Sequence, residues 1–244
     1  MPDPGDHRPG SSPADEVGAE RNRIARVYQA YDDAGRQGRW DALQPGNRAM
    51  LAERDATLHA LLAAGRPPRT VLDVGGGNGD ALATFLAAGP APIDAARAVG
   101  VDLIGDRLAA AATAYGARFA RADATALPFP DATFDLVLCF TVLSSVGDLG
   151  VRQAIADDIT RVLTPGGALG WYDMRRPSPT NPDVSPIDAV ALRGLFPGLR
   201  GEVRPVTLLP PLARRLGRAT AVAYGPLARV PLLRTHLAAV LRKP

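Results

Sequence analysis

Between Thr70 and Asp173 short apolar runs alternate with helical stretches, and the early runs carry an aspartate at or near their ends: VLDV, AVGVD and ARFARAD. Few architectures satisfy that alternation. A strand, a helix and a next strand repeated along the chain give a parallel sheet with helices on both faces. ALATFLAAG, closed by Gly89, and RLAAAATAYGA supply the first two helices; VRQAIADDITRVL is an amphipathic third. FDLVLCF is apolar at nearly every position, as a strand buried on both faces must be. The turn TPGG then precedes another strand, ALGWYD. The expected fold is α/β: a Rossmann-like, doubly wound sheet.

Flanking segments fit around that core. Residues 1–22, rich in Pro, Gly, Ser and Asp, lack the basic start and apolar run of a secretory signal and read as a disordered tail. Residues 23–66 carry helical periodicity, broken near QPGN, and read as an N-terminal helical lid holding Tyr28, Tyr31 and Trp40, which also read as plain helix-packing aromatics. Residues 67–175 are the core. Residues 176–244 are a substrate-side loop and terminal strands, EVRPVTLL and RTHLAAVLR, the second of which also reads as a helix. Residues 23–244 are thus expected to form a single domain, a size one core can serve.

Thr70–Asp80, TVLDVGGGNGD, fixes the chemistry. Glycines at a tight strand-to-helix turn let backbone amides approach a ligand without a Cβ between. The dinucleotide spacing G-x-G-x-x-G fails at its third position, which is Asp80, and a carboxylate there repels a pyrophosphate. The spacing that fits is D-x-G-x-G-x-G, from Asp73, Gly75, Gly77 and Gly79. An acid before the turn suits an ammonium group. Asp102, at the end of the next run, suits a ribose diol, and Asp123, after the third, an adenine amine. Each of the last two also has a plainer reading as a helix cap. An ammonium, a ribose and an adenine without phosphates describe S-adenosylmethionine.

The motifs VLDVGGGNGD, VGVDL, RADATALPFPDATFDLVL and RVLTPGGALGWYD, in this order, resemble those of class I S-adenosylmethionine-dependent methyltransferases, strongly over about residues 68–175. The resemblance implies a seven-stranded sheet with an antiparallel last strand. It implies that Asp73 and the glycines hold the methionine end, Asp102 the ribose, and Asp123 with Ala124 the adenine, while Phe140 offers its carbonyl to the ammonium. Tyr31, Asn78, Gly79 and Leu103 complete the expected cofactor shell, and S-adenosylhomocysteine is the product.

Methyl transfer from a sulfonium is an in-line displacement, so alignment of the acceptor supplies much of the rate. Asp173, closing GWYD, is the first candidate to take or orient a proton, or it braces the loop that follows. His236 is the second, unless it is a packed histidine on a terminal strand. Ser144 and Ser145 bind substrate or cap a helix. Arg175 and Arg176 meet an anionic substrate or lie solvated. Cytosine methylation needs a positioned cysteine, and the lone Cys139 sits inside a strand; CFTVLSS lacks the Asn/Asp-Pro-Pro of enzymes acting on base amines; no acid after the fourth strand offers a metal ligand. No metal is expected. A small organic acceptor remains; WDALQPGNRAMLAERDATLHALL upstream and LPPLARR with PLLRTH downstream resemble bacterial tailoring methyltransferases, which implies an acceptor from a secondary-metabolite or lipid pathway.

From Arg193 to Pro244 ten Arg or Lys face one acid, Glu202, which leaves that segment at +9 and the other 192 residues at −6. Such a segment attracts phosphate, nucleic acid or anionic lipid, or is simply a solvated face. Three rivals stay open: a repurposed cofactor-binding domain without methyl transfer, an RNA methyltransferase using this basic segment, and, weakened by Asp80, a nicotinamide oxidoreductase. Nucleic acid is the less expected partner. No run is long enough to span a membrane, a homodimer stays open, and a single cysteine fits the cytoplasm.

Overall fold

A computed structural model describes residues 13–33, 41, 43–89, 93–105, 108, 117–177 and 183–244. Trp40 and most of the helix expected over RLAAAATAYGA lie outside the described residues. The chain runs α1 (Pro13–Asp33), α2 (Pro45–Leu62), β1 (Val71–Val74), α3 (Asp80–Ala88), β2 (Ala98–Asp102), β3 (Arg118–Arg121) and β4 (Phe134–Phe140). It continues with α4 (Leu149–Val162), β5 (Leu163–Met174), α5 (Ala189–Leu195), β6 (Arg200–Leu208), α6 (Pro210–Arg215), α7 (Thr220–Ala228) and β7 (Arg234–Arg242).

Among the described residues seven strands join one sheet in the order β3-β2-β1-β4-β5-β7-β6. The first five are parallel, and β7 inserts antiparallel between β5 and β6, so RTHLAAVLR is a strand rather than a helix. Strand order reverses between β1 and β4. A parallel sheet opens a crevice at such a point, outside the carboxyl ends of its strands.

Both faces of the sheet are covered. Ile155, Ile159 and Val162 of α4 pack with Val137, Leu169 and Trp171 on one face. Leu58, Leu61 and Leu62 of α2, with Phe85 of α3, cover the other. Burial of each such side chain contributes roughly 1.5–3 kcal/mol. A third cluster of Met50, Leu208, Ala213 and Tyr224 seats α6 and α7 on α2 and β6. Gly46 is required there, because a Cβ on it would lie 2.2 Å from the Ala213 carbonyl oxygen.

Three local readings change. Helix α1 begins at Pro13, inside the segment read as tail: proline is preorganised for a first helical turn, and Asp15 and Glu16 sit where the helix dipole favours acids. QPGN does more than interrupt a helix, for Gln44 caps α2 by accepting from the Asn47 N–H at 2.7 Å, with Pro45 at the first position. TPGG is no free turn. Strand β5 already pairs at Leu163 with Phe134, and the register shifts between there and Leu136, with Gly166 at φ 74°.

Candidate functional site

One cavity of about 800 Å³ occupies the crevice, floored by the carboxyl ends of β1, β2 and β4 and flanked by α1 and α2. Gly75 and Gly77 adopt φ of 74° and 52°, a region closed to most side chains, and this turns β1 sharply into α3. The Gly75 and Gly76 N–H groups donate to the Val101 carbonyl at 2.8 and 3.0 Å, tying the turn to β2. A Cβ on Gly75 would overlap Val142, whereas one on Gly77 would meet only open space.

The three acids of the sequence reading come together around this cavity. Asp102 accepts from the Gly77 N–H at 2.9 Å through one oxygen and from the Ile104 N–H at 2.8 Å through the other. Both oxygens are thereby aimed, and each keeps a second lone pair. Asp123 accepts from the Thr125 N–H and hydroxyl through Oδ1 alone. Its Oδ2 stands 3.5 Å from Arg21 of α1. Asp73 is fully buried, and burial, reinforced by the Asp102 charge and opposed by Arg54, raises its pKa to about 7. Its Oδ2 has no hydrogen-bond partner among the described residues. A buried acceptor left over in a cavity wall is costly unless a ligand supplies a donor.

Leu103, Ala124, Asn78 and Phe140 also border the cavity. Asn78 donates to Asp80 at 2.6 Å, and the Phe140 carbonyl accepts from the Thr141 hydroxyl at 2.7 Å. Gly79 lies behind the wall, where φ of 81° lets its N–H close the turn onto the Gly76 carbonyl. Tyr31 is not in the wall. It meets Tyr28 edge-on at 6.0 Å, and Tyr28, one turn earlier, is the residue that lines the cavity.

Neither acid–base candidate borders the cavity among the described residues. Asp173, fully buried, accepts from the Ser144 N–H at 3.0 Å and the Met174 N–H at 2.8 Å, and burial raises its pKa to about 6. It thus braces the β4–α4 connection, whose Ser145 lines the cavity. His236 stacks on Tyr172 at 4.8 Å, bonds Thr235 through Nδ1, and is held by burial down at a pKa of about 3. Cys139 is a buried core thiol with its pKa pushed up, and among the described residues no group of three His, Cys, Asp or Glu could hold a metal ion.

Two features escaped the sequence reading. Arg54 of α2 is a buried cation in the cavity wall, 4.5 Å over the Phe140 ring and bonded to Asp55 at 2.7 Å. The signal was present: Met50, Arg54, Leu58 and Leu62 share one face at four-residue spacing, and an arginine within an apolar stripe needs a reason. The second is the latch of α1. Glu20 pairs with Arg23 at 2.7 Å and accepts from the Gly147 N–H, while Arg23 donates to the Ser145 carbonyl. These long-range contacts have no periodicity to betray them.

Known proteins match this arrangement. Residues 71–167 fit the family model described as a methyltransferase domain. A demethylmenaquinone methyltransferase from Deinococcus radiodurans is 38% identical over 169 residues, which is 67% of this chain and 64% of that protein. A 27-O-demethylrifamycin SV methyltransferase from Amycolatopsis mediterranei is 31% identical over 172 residues, 65% of this chain and 61% of the relative. The matched stretches therefore span less than two thirds of these relatives. Among solved structures, the Burkholderia thailandensis 1,6-didemethyltoxoflavin-N1-methyltransferase with bound 1,6-didemethyltoxoflavin and S-adenosylhomocysteine superimposes with a TM-score of 0.62 at 21% identity, covering 98% of this chain and 93% of the other.

Proposed function

We propose that this chain is a class I S-adenosylmethionine-dependent methyltransferase that moves a methyl group from S-adenosylmethionine to a small organic acceptor, a reading supported by the match of residues 71–167 and by the fold. One observation carries the proposal: Asp73 of β1, Asp102 of β2 and Asp123 just after β3 border a single cavity beside the glycine turn. In this reading Asp102 accepts from the ribose and Asp123 from the adenine. The unpartnered Asp73 Oδ2 and the Phe140 carbonyl face the ammonium, and Arg54 takes the carboxylate beside it. The residues fit the cofactor, since an orphaned buried acceptor and a buried cation together match a zwitterion.

When bound, the cofactor supplies an electrophilic methyl on sulfur. The protein's part is to orient. Ile24, Tyr28, Leu51, Val146 and Ile155 give the remaining wall an apolar lining suited to an uncharged organic acceptor. Helices α1 and α2 act as the lid of residues 23–66, excluding water from the cavity. With Asp173 turned onto Ser144 and His236 packed on Tyr172, transfer rests on proximity, and Asp173 acts as a positioning residue. The names of these similar proteins, which include demethylmenaquinone, 27-O-demethylrifamycin SV and 1,6-didemethyltoxoflavin, support a secondary-metabolite or lipid-pathway acceptor. The lone, buried Cys139 supports a cytoplasmic setting.

Calorimetric titration with S-adenosylmethionine and S-adenosylhomocysteine, with NADH as control, tests the cofactor, and S-adenosylhomocysteine release in the presence of candidate acceptors tests the transfer. Binding weakened at least about tenfold by Asp102→Ala is expected, as loss of charged hydrogen bonds requires. Binding of NADH alone, or of neither ligand, overturns the proposal.

A further inference from the structure

Seven large apolar side chains stand exposed among the described residues, and four of them, Leu209, Val222, Val230 and Leu232, belong to the cap built from α6, α7 and the turn after it. Val222 and Leu232 are 76% and 73% exposed. Helix α7 fixes the direction of Val222. Thr220, Tyr224 and Ala228 point inward at four-residue intervals, so Val222 points outward, with Arg218 one turn before it and Arg229 two turns after. The turn carrying Leu232 is pinned by Arg175, which donates to the Pro231 and Arg234 carbonyls.

Charge on this cap is of one sign. Between Val203 and Pro244 the sequence holds no Asp or Glu. Several of its cations are used internally: Arg204 pairs with Glu202, Arg234 with Glu53, and Arg242 donates to the Leu61 and Leu62 carbonyls. Arg215, Arg218 and Arg229 are exposed and form no ion pair among the described residues.

We propose that this cap docks on an anionic lipid bilayer, its three free arginines at the headgroup phosphates and its aliphatic side chains in the interface. Aliphatics interleaved with arginines suit that boundary, which takes both apolar area and positive charge. Nucleic acid fits less well, because the exposed large apolar side chains of the cap are aliphatic and offer no ring for base stacking. A second copy fits less well too, since a two-fold contact would set the cationic face against itself. Among the described residues no helix is long and apolar enough to cross a membrane, so the attachment is peripheral.

Docking here has a consequence for the cavity. Gln44 donates to the Arg214 carbonyl at 2.8 Å, joining the cap to the start of α2. Asp41 borders the cavity, and Leu43, two residues on, is 84% exposed. Docking at the cap would thus bring the start of α2, and with it the Asp41 edge of the cavity, close to the bilayer.

Co-sedimentation with vesicles of phosphatidylcholine alone, and of phosphatidylcholine mixed equally with phosphatidylglycerol, tests the proposal without cofactor or acceptor, so its failure leaves the methyl-transfer reading untouched. Anionic vesicles should bind at least about tenfold better than neutral ones, and high salt should abolish the difference. Replacing the three arginines (Arg215→Gln, Arg218→Gln, Arg229→Gln) should weaken binding about a hundredfold, and Val222→Ser with Leu232→Ser about tenfold, with unchanged melting curves. Equal binding to both vesicles, or indifference to the arginine variant, overturns it. So does an RNA oligonucleotide that binds in place of vesicles, or a dimer in sedimentation velocity that the serine variant disperses.

Discussion

Arg21 of α1 lies 3.5 Å from Asp123, the acid that follows β3, and so ties a helix from the start of the chain across the mouth of the cavity. The pair is half exposed on the arginine side, and such pairs contribute about 0–1 kcal/mol, so Arg21→Ala should leave the melting temperature within about 2 °C. Its effect should fall on ligand exchange. Asp123 Oδ2 then has no competitor for an adenine amine, and S-adenosylhomocysteine should both bind and leave about two- to fivefold faster by stopped-flow. Unchanged rates would mean that α1 does not gate the site.

Asp73 and Asp173, at about 7 and about 6, both lie above the ordinary 3.8 of an unfolded aspartate, because burial penalises the ionised form. The folded state holds more protons than the unfolded one between those limits. The stability each contributes is therefore complete below about pH 4 and is lost as pH rises through 6 and 7. The ligand-free protein should melt several degrees lower at pH 8 than at pH 5.5, and Asp73→Asn should flatten part of that slope. An ammonium beside Asp73 favours its carboxylate, so cofactor binding near pH 6.5 should release a proton. Calorimetry in two buffers of different ionisation enthalpy measures that release.

His236 contributes in the opposite sense. Its pKa of about 3 lies below the ordinary 6.5, so the unfolded state binds more protons and stability falls as pH drops from about 6.5 toward 3. His236→Gln should remove this acid-side loss, read from melting temperatures between pH 6.5 and 4.

The two glycines at the turn should separate fold from ligand. Gly77→Ala meets open space, so it costs about 1–2 kcal/mol for the left-handed backbone while placing a methyl in the cavity. Cofactor affinity should fall by at least about tenfold in a protein that still folds. Gly75→Ala adds a clash with Val142 to the same backbone cost and should destabilise by about 2–4 kcal/mol, seen in urea unfolding.

Asp173→Ala should cost about 2–3 kcal/mol, because the buried Ser144 N–H and the half-buried Met174 N–H lose an ionised acceptor. Asp173→Asn keeps an acceptor oxygen and should recover about half of that, with turnover following stability. A collapse of kcat in a stable Asp173→Asn protein, together with loss of the acid limb of the pH–rate profile, would instead make Asp173 the base.

Local sequence determined the sheet and one wall of the site. Apolar runs ending in Asp73 and Asp102 and the glycine spacing act over a few residues, and backbone sterics and burial give such patterns one reading wherever they occur. Even the inserted last strand was legible in RTHLAAVLR, though helix and strand compete there until β5 and β6 supply hydrogen-bond partners. What only the tertiary structure decided lies between segments far apart in the chain. Arg54 over Phe140, Arg21 on Asp123, and Tyr28 rather than Tyr31 in the wall depend on how α1 and α2 seat on the sheet. Asp173 faces Ser144 because a buried carboxylate takes the nearest N–H groups, and no pattern within GWYD carries that information. The lid and the opposite wall are assembled from contacts far apart in sequence, 102 residues for Arg21 with Asp123 and 86 for Arg54 with Phe140, which appear only when the chain closes on itself.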